Sequence, residues 1–169
     1  MSNYLDHLLP TWPEKALARK RENQEFFKRL KRTDKKVLDQ KINQLHEEVF
    51  ACTDCLKCAN CCTTTGPLLT NKDIERLAKY ERMRPAAFTE AYLRLDEDGD
   101  YVFQTMPCRY LNADNTCSIY DIRPKACREF PHTDRAKQYQ ILNLTRKNAE
   151  VCPAVFEIVE RLKANMVMR

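Results

Sequence analysis

The sequence predicts a mostly α-helical fold with short β-hairpins, an α+β chain built as a small cysteine-rich, metal-centred domain with an N-terminal helical arm. Three observations carry that expectation. Five of the nine cysteines fall within eleven residues, as Cys52, Cys55, Cys58, Cys61 and Cys62 in the run CTDCLKCANCC. Spacings of two residues let one tight turn aim several sulfurs at a single point, and a thiolate cluster is a soft-ligand site suited to zinc or an iron–sulfur cluster. Apolar residues recur at helical spacing, most cleanly at Leu38, Ile42, Leu45 and Val49. Turn residues such as Asp98-Gly99, followed by the strand-like YVFQT, signal hairpins.

Taken in order, Pro13 to Leu30 reads as a highly charged helix with a weak stripe of Leu17, Phe26, Phe27 and Leu30. Thr33 or Asp34 can cap a second helix, whose seam of Leu38, Ile42, Leu45 and Val49 suits packing on the domain or, as the sharper reading, a partner-binding arm. The cysteine run reads as a loop, and Gly66-Pro67 breaks the chain. Thr70 with Asp73 three residues on is a variant capping box for a helix whose inward face is Ile74, Leu77 and Ala78. Pro85 suits the first turn of another helix, carrying Phe88, Ala91, Tyr92 and Leu95. Residues 96–100 form an acidic turn, 101–105 a strand, and 118–120 a second short strand. Arg123-Pro124 opens a short helix that Pro131 ends; 136–151 fits strand or helix. The last helix starts near Pro153 and buries Val155, Ile158, Val159 and Leu162. The domain division expected is a helical extension at 1–50 and a cysteine-cluster metal-binding domain at 51–169, so that deleting residues 1–48 would leave the metal site intact.

Composition narrows the function. Hydrophobic residues make up 43% and charged residues 31%, so the core is small for the length and bound metal would supply stability. Two glycines, Gly66 and Gly99, argue against Gly-rich phosphate loops. The net charge of +5 is spread along the chain, with eleven Lys/Arg and eight Asp/Glu in residues 1–50, which disfavours a nucleic-acid surface. The amino terminus lacks a basic region followed by an apolar stretch, and no apolar run approaches membrane-spanning length. The expectation is a cytoplasmic protein with reduced thiols and no membrane partner. An odd cysteine count and the adjacent Cys61–Cys62 pair disfavour a disulfide framework.

The candidate metal ligands are Cys55, Cys58, Cys61, Cys62, Cys108, Cys117, Cys127 and Cys152. They could hold two zinc ions with four thiolates each, or four of them a [4Fe–4S] cluster; a C-x2-C-x2-C run with a distant Cys-Pro is a ferredoxin combination. Adjacent Cys61 and Cys62 are expected to point apart and to serve different centres, or one to ligate and the other to pack. Either kind of centre leaves about −2 of charge, so nearby cations are expected; Lys57, Arg109, Arg123 and Arg128 are close in sequence, with Arg123 or Arg128 favoured in support. His132 could complete a Cys3His site but is expected to face solvent, and Tyr110 and Tyr120 are expected to pack in a small core.

CLKCANCC at 55–62, PCRYLNADNTCSIYDIRPKACREFP at 107–131 and Cys152-Pro153 together resemble the YkgJ-like CxxCxxCC cysteine-cluster family. The likeness spans roughly 52–155; residues 1–50 and Cys52 itself lie outside the signature. The resemblance implies a bacterial zinc- or iron-chelating domain of unassigned biochemical role. In some relatives the domain is part of a flagellin lysine methylase associated with an iron–sulfur cluster; this chain is short for that enzyme, and the methylase activity is not carried over. Two function classes follow. One is a metal- or cluster-binding protein, acting as electron carrier, metal handler or scaffold, with a protein partner docked through the N-terminal helices. The alternative is a redox or group-transfer enzyme, protein-modifying and methylase-associated, using an iron–sulfur cluster. The radical-SAM spacing C-x3-C-x2-C is absent, no Ser-His-Asp or HExxH arrangement is visible, and no catalytic residue is assigned.

Overall fold

The computed structural model describes residues 5–166; the first four residues of the stretch read for a signal lie outside them. Ten helices occur among the described residues: α1 (Leu5–Leu8), α2 (Trp12–Ala18), α3 (Lys20–Leu30), α4 (Lys35–Phe50), α5 (Asn60–Thr64), α6 (Asn71–Tyr80), α7 (Pro85–Tyr92), α8 (Lys125–Glu129), α9 (Leu142–Asn148) and α10 (Pro153–Asn165). Strands β1 (Leu68–Leu69), β2 (Leu93–Leu95) and β3 (Tyr101–Phe103) form an antiparallel sheet in the order β1-β3-β2. The mostly helical class with a short hairpin is therefore as expected. No helix among the described residues is long and apolar enough to cross a membrane. Contacts gather the chain into two compact units: residues up to Cys58 together with those from Pro131 on, and Ala59–Phe130.

The first unit is helical. Asp34 caps α4, its carboxylate accepting from the backbone N–H groups of Lys36 and Val37. The α4 seam of Leu38, Ile42, Leu45 and Val49 then meets Val155, Ile158, Val159 and Leu162 of α10, with Phe26, Phe27 and Leu30 of α3 closing the same cluster. All four α10 residues expected to be buried are at most 1% exposed. The seam thus faces its own unit, as the packing reading expected. The helix expected over Pro13–Leu30 is two helices, broken at Arg19, whose N–H is shared between the Lys15 and Leu17 carbonyls. Residues 17–20 are all exposed, so no packing keeps that turn regular, and Leu17 faces solvent while Ala16 is buried. The ambiguous 136–151 segment is helical, because side chains rather than a strand partner satisfy its start. Asp39 accepts from the N–H groups of Lys137 and Gln138, and Asn43 donates to the Thr133 and Arg135 carbonyls.

The second unit pairs a small sheet with α6 and α7. The Thr70–Asp73 capping box forms in both directions, and Ile74, Leu77 and Ala78 are buried as their spacing predicts. Phe88, Leu93, Phe103, Tyr110 and Ile119 complete the cluster. Leu95, expected on a helix, lies on β2 instead: Leu93 turns extended (φ −116°, ψ 156°) and pairs with Phe103, ending α7. The Asp98-Gly99 turn forms, with Gly99 at φ 82° and its N–H bonded to the Asp96 carbonyl. The strand expected at 118–120 does not form. Leu111 and Cys117 make an isolated bridge, Ser118 N–H still reaches the Tyr110 carbonyl, and a 3-10 turn at Tyr120–Ile122 follows. The turn satisfies its own backbone, Tyr120 N–H on the Cys117 carbonyl and Ile122 N–H on the Ile119 carbonyl, and Arg76 holds the Ile122 and Arg123 carbonyls that follow. Tyr120, expected in the core, is 60% exposed, with the Arg123 guanidinium 3.8 Å over its ring.

Candidate metal centre

The candidate thiols fall into two sets, one per unit. Cys55, Cys58 and Cys152 belong to the first unit, and Cys61, Cys62, Cys108, Cys117 and Cys127 to the second. Cys52, outside the family signature, lies in the first unit. No disulfide engages any of the nine.

In the first unit the chain leaves α4 through a tight turn, Cys52 N–H reaching the Val49 carbonyl and Thr53 Oγ1 donating to the same oxygen. Asp54 then caps a 3-10 turn over Cys55–Lys57 by accepting from Leu56 N–H at 3.0 Å, and Cys58 N–H bonds to the Cys55 carbonyl. Lys57 is not turned to the thiols; its ammonium pairs with Asp6 at 2.9 Å. Cys152 stands at the amino terminus of α10, with Pro153 in the first turn, and its side chain packs against the helical core. Burial pushes the Cys152 thiol up to about 12; the N–H groups of Val155 and Ala154 pull it down, and the charges of Cys55 and Cys58 push it up again. Three sulfurs here lie within electrostatic reach of one another.

In the second unit Ala59 takes a left-handed conformation (φ 48°) and starts α5, which carries Cys61 and Cys62. The last part of the expected loop, from Asn60, is thus a short helix, held by Thr63 and Thr64 hydroxyls donating to the Ala59 and Asn60 carbonyls. It ends at Gly66 (φ 67°), where an added Cβ would sit 2.9 Å from the Met106 sulfur. Cys108 N–H then bonds to the Cys62 carbonyl at 2.8 Å, pinning the first motif block to the second. Cys108 and Cys117 flank a knuckle closed by Asn112 N–H on the Thr116 carbonyl and by Asp114 on the Thr116 N–H and hydroxyl. Cys127 sits on α8. Burial pushes its thiol up to about 12, helped by the charges of Cys62, Cys108 and Cys117. Burial likewise raises Cys108, against which the Arg109 charge works. Cys62 goes the other way, lowered to about 7 by a hydrogen bond from Cys61 that outweighs burial.

The cations divide between the expected and the unforeseen. Arg123 eases the Cys127 thiolate, as expected, while its guanidinium donates to the Tyr120 carbonyl. Arg128 instead donates to the Arg123 carbonyl at 2.7 Å and serves the backbone. Arg109 lies 3.4 Å over the Tyr92 ring and pairs with Glu81. Glu81 also accepts from the Tyr110 hydroxyl at 2.8 Å.

Asp73 was legible in the sequence only as a cap. It is 1% exposed, binds Arg76, and accepts from Lys125 N–H at 3.1 Å, so it holds the segment that presents Cys127. Burial would raise its carboxyl, but hydrogen bonds from Thr70, Arg76 and the Lys125 backbone outweigh that and keep it below the usual range. A carboxyl so depressed stabilises the fold above its unfolded value, about 3.9, and loses that contribution as pH falls through its folded value. Asp73→Asn is expected to cost about 3 kcal/mol at pH 7, with the gap from wild type shrinking below about pH 4. Urea unfolding of both proteins at pH 7 and pH 3 checks this; an equal gap at both pH values would refute it.

Among the described residues no group of three or more His, Cys, Asp or Glu side chains is already poised around a metal position. The donor chemistry nonetheless fits zinc or an iron–sulfur cluster. Both sets are all-sulfur, with Cys127 in electrostatic range of Cys62, Cys108 and Cys117 and Cys152 in range of Cys55 and Cys58, and metal binding would replace their thiol protons. Two surface depressions, one lined by Leu8, Lys15, Arg19, Phe156, Glu157 and Glu160 and the other around Asn71, Ile74 and Tyr101, include no cysteine.

A family model described as "CxxCxxCC: Putative zinc- or iron-chelating domain" matches residues 54–153, more than half of the chain. No curated protein and no solved structure matches it.

Proposed function

The chain belongs to the CxxCxxCC family, and from that premise we propose that it is a cytoplasmic metal-binding protein whose Cys55, Cys58, Cys61, Cys62, Cys108, Cys117, Cys127 and Cys152 take up zinc or an iron–sulfur cluster. The observation that carries this reading is the setting of Cys127, whose thiol feels Cys62, Cys108 and Cys117 at once although Cys62 lies 65 residues before it in sequence. Thiols raised by mutual charge and burial gain most when a cation replaces their protons. Zinc would supply a closed tetrahedral anchor, and a cluster an electron store. The protein's own part is to present the sulfurs and temper their charge. Arg109 and Arg123 lower the cost of ionising Cys108 and Cys127, and the first N–H groups of α10 do so for Cys152.

Elemental analysis with an absorption spectrum, on protein purified without oxygen, tests the proposal. Zinc in a colourless protein identifies a structural thiolate centre. Iron with acid-labile sulfide and a broad visible band identifies a cluster. Protein that carries neither, and takes up neither zinc nor iron with sulfide on reconstitution, overturns it.

A further inference from the structure

We propose that the exposed turn between α3 and α4, with the 135–137 segment packed beside it, is a docking surface for an acidic segment of a protein partner. The proposal goes beyond metal binding and uses none of the thiols.

The basic excess that is spread along the sequence is gathered by the fold. The second unit holds ten Lys/Arg against eleven Asp/Glu, so the whole excess belongs to the first. There, Arg29, Lys31, Arg32, Lys35 and Lys36 crowd around one turn, and all five are exposed. The turn is fixed rather than loose. Arg32 N–H bonds to the Arg29 carbonyl and Thr33 N–H to the Leu30 carbonyl, Asp34 caps α4, and Leu30 and Leu38 on either side are 0% exposed. A distant segment joins it. Asp39, one turn into α4, accepts from Lys137 N–H at 2.7 Å, and Asn43 donates to the Arg135 carbonyl at 3.1 Å. The Lys35 ammonium lies 4.5 Å from the centre of the Tyr139 ring. Arg135 and Lys137 are exposed too, and Lys137 is held at φ 61°, a left-handed conformation uncommon for a residue with a side chain.

Seven cations thus surround three carboxylates, Asp34, Asp39 and Asp134, which accounts for four of the chain's five net positive charges. None of the seven makes an ion pair among the described residues. Other cations of the same unit are matched: Lys28 by Glu25, Lys20 by Glu150 and Lys163 by Glu22. Uncompensated cations crowded on one turn add their potentials and steer an anionic partner toward it.

Three observations favour a protein over a nucleic acid. Asp34 and Asp134 interleave with the cations; they repel a continuous phosphate chain, whereas the carboxylates of a protein segment can be spaced around them. Val37, beside Lys36, is 45% exposed and gives the patch an apolar spot, as protein interfaces have at their centres. A face of the Tyr139 ring is covered by Lys35 and so is closed to a stacking base. The apolar seam of α4 is already spent on α10, so what these helices offer outward is charge.

The test measures binding of a fluorescent oligoglutamate peptide to the full chain by anisotropy, at about 0.15 M ionic strength. Lys35→Glu combined with Lys36→Glu reverses the centre of the patch and places acids in the first turn of α4, where the helix dipole favours them, so the fold is kept. A control, Lys72→Glu with Arg94→Glu, makes the same change in net charge on the second unit. Wild type and the control should bind alike, and the patch variant about tenfold more weakly or worse. Absence of peptide binding to wild type, or an equal loss in patch variant and control, overturns the proposal. So does tighter binding of a DNA oligonucleotide of equal charge, or of phosphatidylserine vesicles, abolished by the patch variant: the surface would then serve a nucleic acid or a membrane.

Discussion

A chain lacking residues 1–48 is expected to lose the first unit and the metal bound there, while the second unit keeps its own. The reason is the shared core. Deletion strips Phe26, Phe27, Leu30, Leu38, Ile42 and Leu45 from a cluster that otherwise consists of Val49, Leu142, Ala149, Ala154, Val155, Ile158, Val159 and Leu162. Each large side chain lost exposes its partners and forgoes about 1.5–3 kcal/mol. Six of them amount to on the order of 10 kcal/mol, about the whole margin of an ordinary domain. The deletion also removes Asp39 and Asn43, which satisfy the backbone before α9. Cys55, Cys58 and Cys152 would then have no scaffold in common. The measurement is a thermal melt by circular dichroism alongside metal per chain. About half of the wild-type metal, with loss of the helical transition, is the expected pair of results. Full metal and an intact cooperative melt would instead support the division into an appended arm, 1–50, and a self-sufficient domain, 51–169.

Replacing Cys127 by serine should remove metal from the second unit and unfold it. The apolar core there is small, nine buried residues in Ala59–Phe130, several of them at the rim of a three-stranded sheet with strands of two or three residues. A core of that size rarely supplies more than about 3–5 kcal/mol, so the bound metal would carry much of the stability. Cys108 and Cys117, half-buried, pack against that same core. Even residues that only support a ligand are worth about 10–100-fold in metal affinity, so losing a ligand should cost more than about 100-fold. The expected melt is lowered by about 20 °C or more, and a strong chelator should reproduce that shift in wild type but add little to the variant. A Cys127→Ser protein with wild-type metal and an unchanged melt would remove Cys127 from the ligand set.

What could be read from the sequence was what short-range chemistry determines. The Asp34 cap, the Thr70–Asp73 box and Pro153 in the first turn of α10 are local signals, and α4, α6 and α10 begin where they predict. The break at Arg19 left no such mark, because it follows from a turn with nothing packed on it. The missing strand at 118–120 gives way to a turn that bonds to itself, Tyr120 N–H to the Cys117 carbonyl and Ile122 N–H to the Ile119 carbonyl, followed by carbonyls that Arg76, more than forty residues earlier, holds. The thiols show the same limit. Their number and softness announced metal binding, but that α4 meets α10 and that Cys62 meets Cys108 are contacts that no spacing encodes. Arg109 was legible as a nearby cation, but its placement by Tyr92 and Glu81 was not.

The second unit is written into the chain between the two halves of the first, and this imposes an order on events at the ribosome. Synthesis delivers Cys62, Cys108, Cys117 and Cys127 before any residue of α10 exists. The inserted unit can therefore close as soon as Phe130 has emerged, in keeping with domains folding as units during translation. The enclosing unit must wait for Leu162, the last buried residue of its core, to leave the exit tunnel. During that wait α3 and α4 carry an apolar face without its partner, and Cys55 and Cys58 lack Cys152. The nascent chain thus passes through a half-assembled stage in which one unit is complete and the other is still being made.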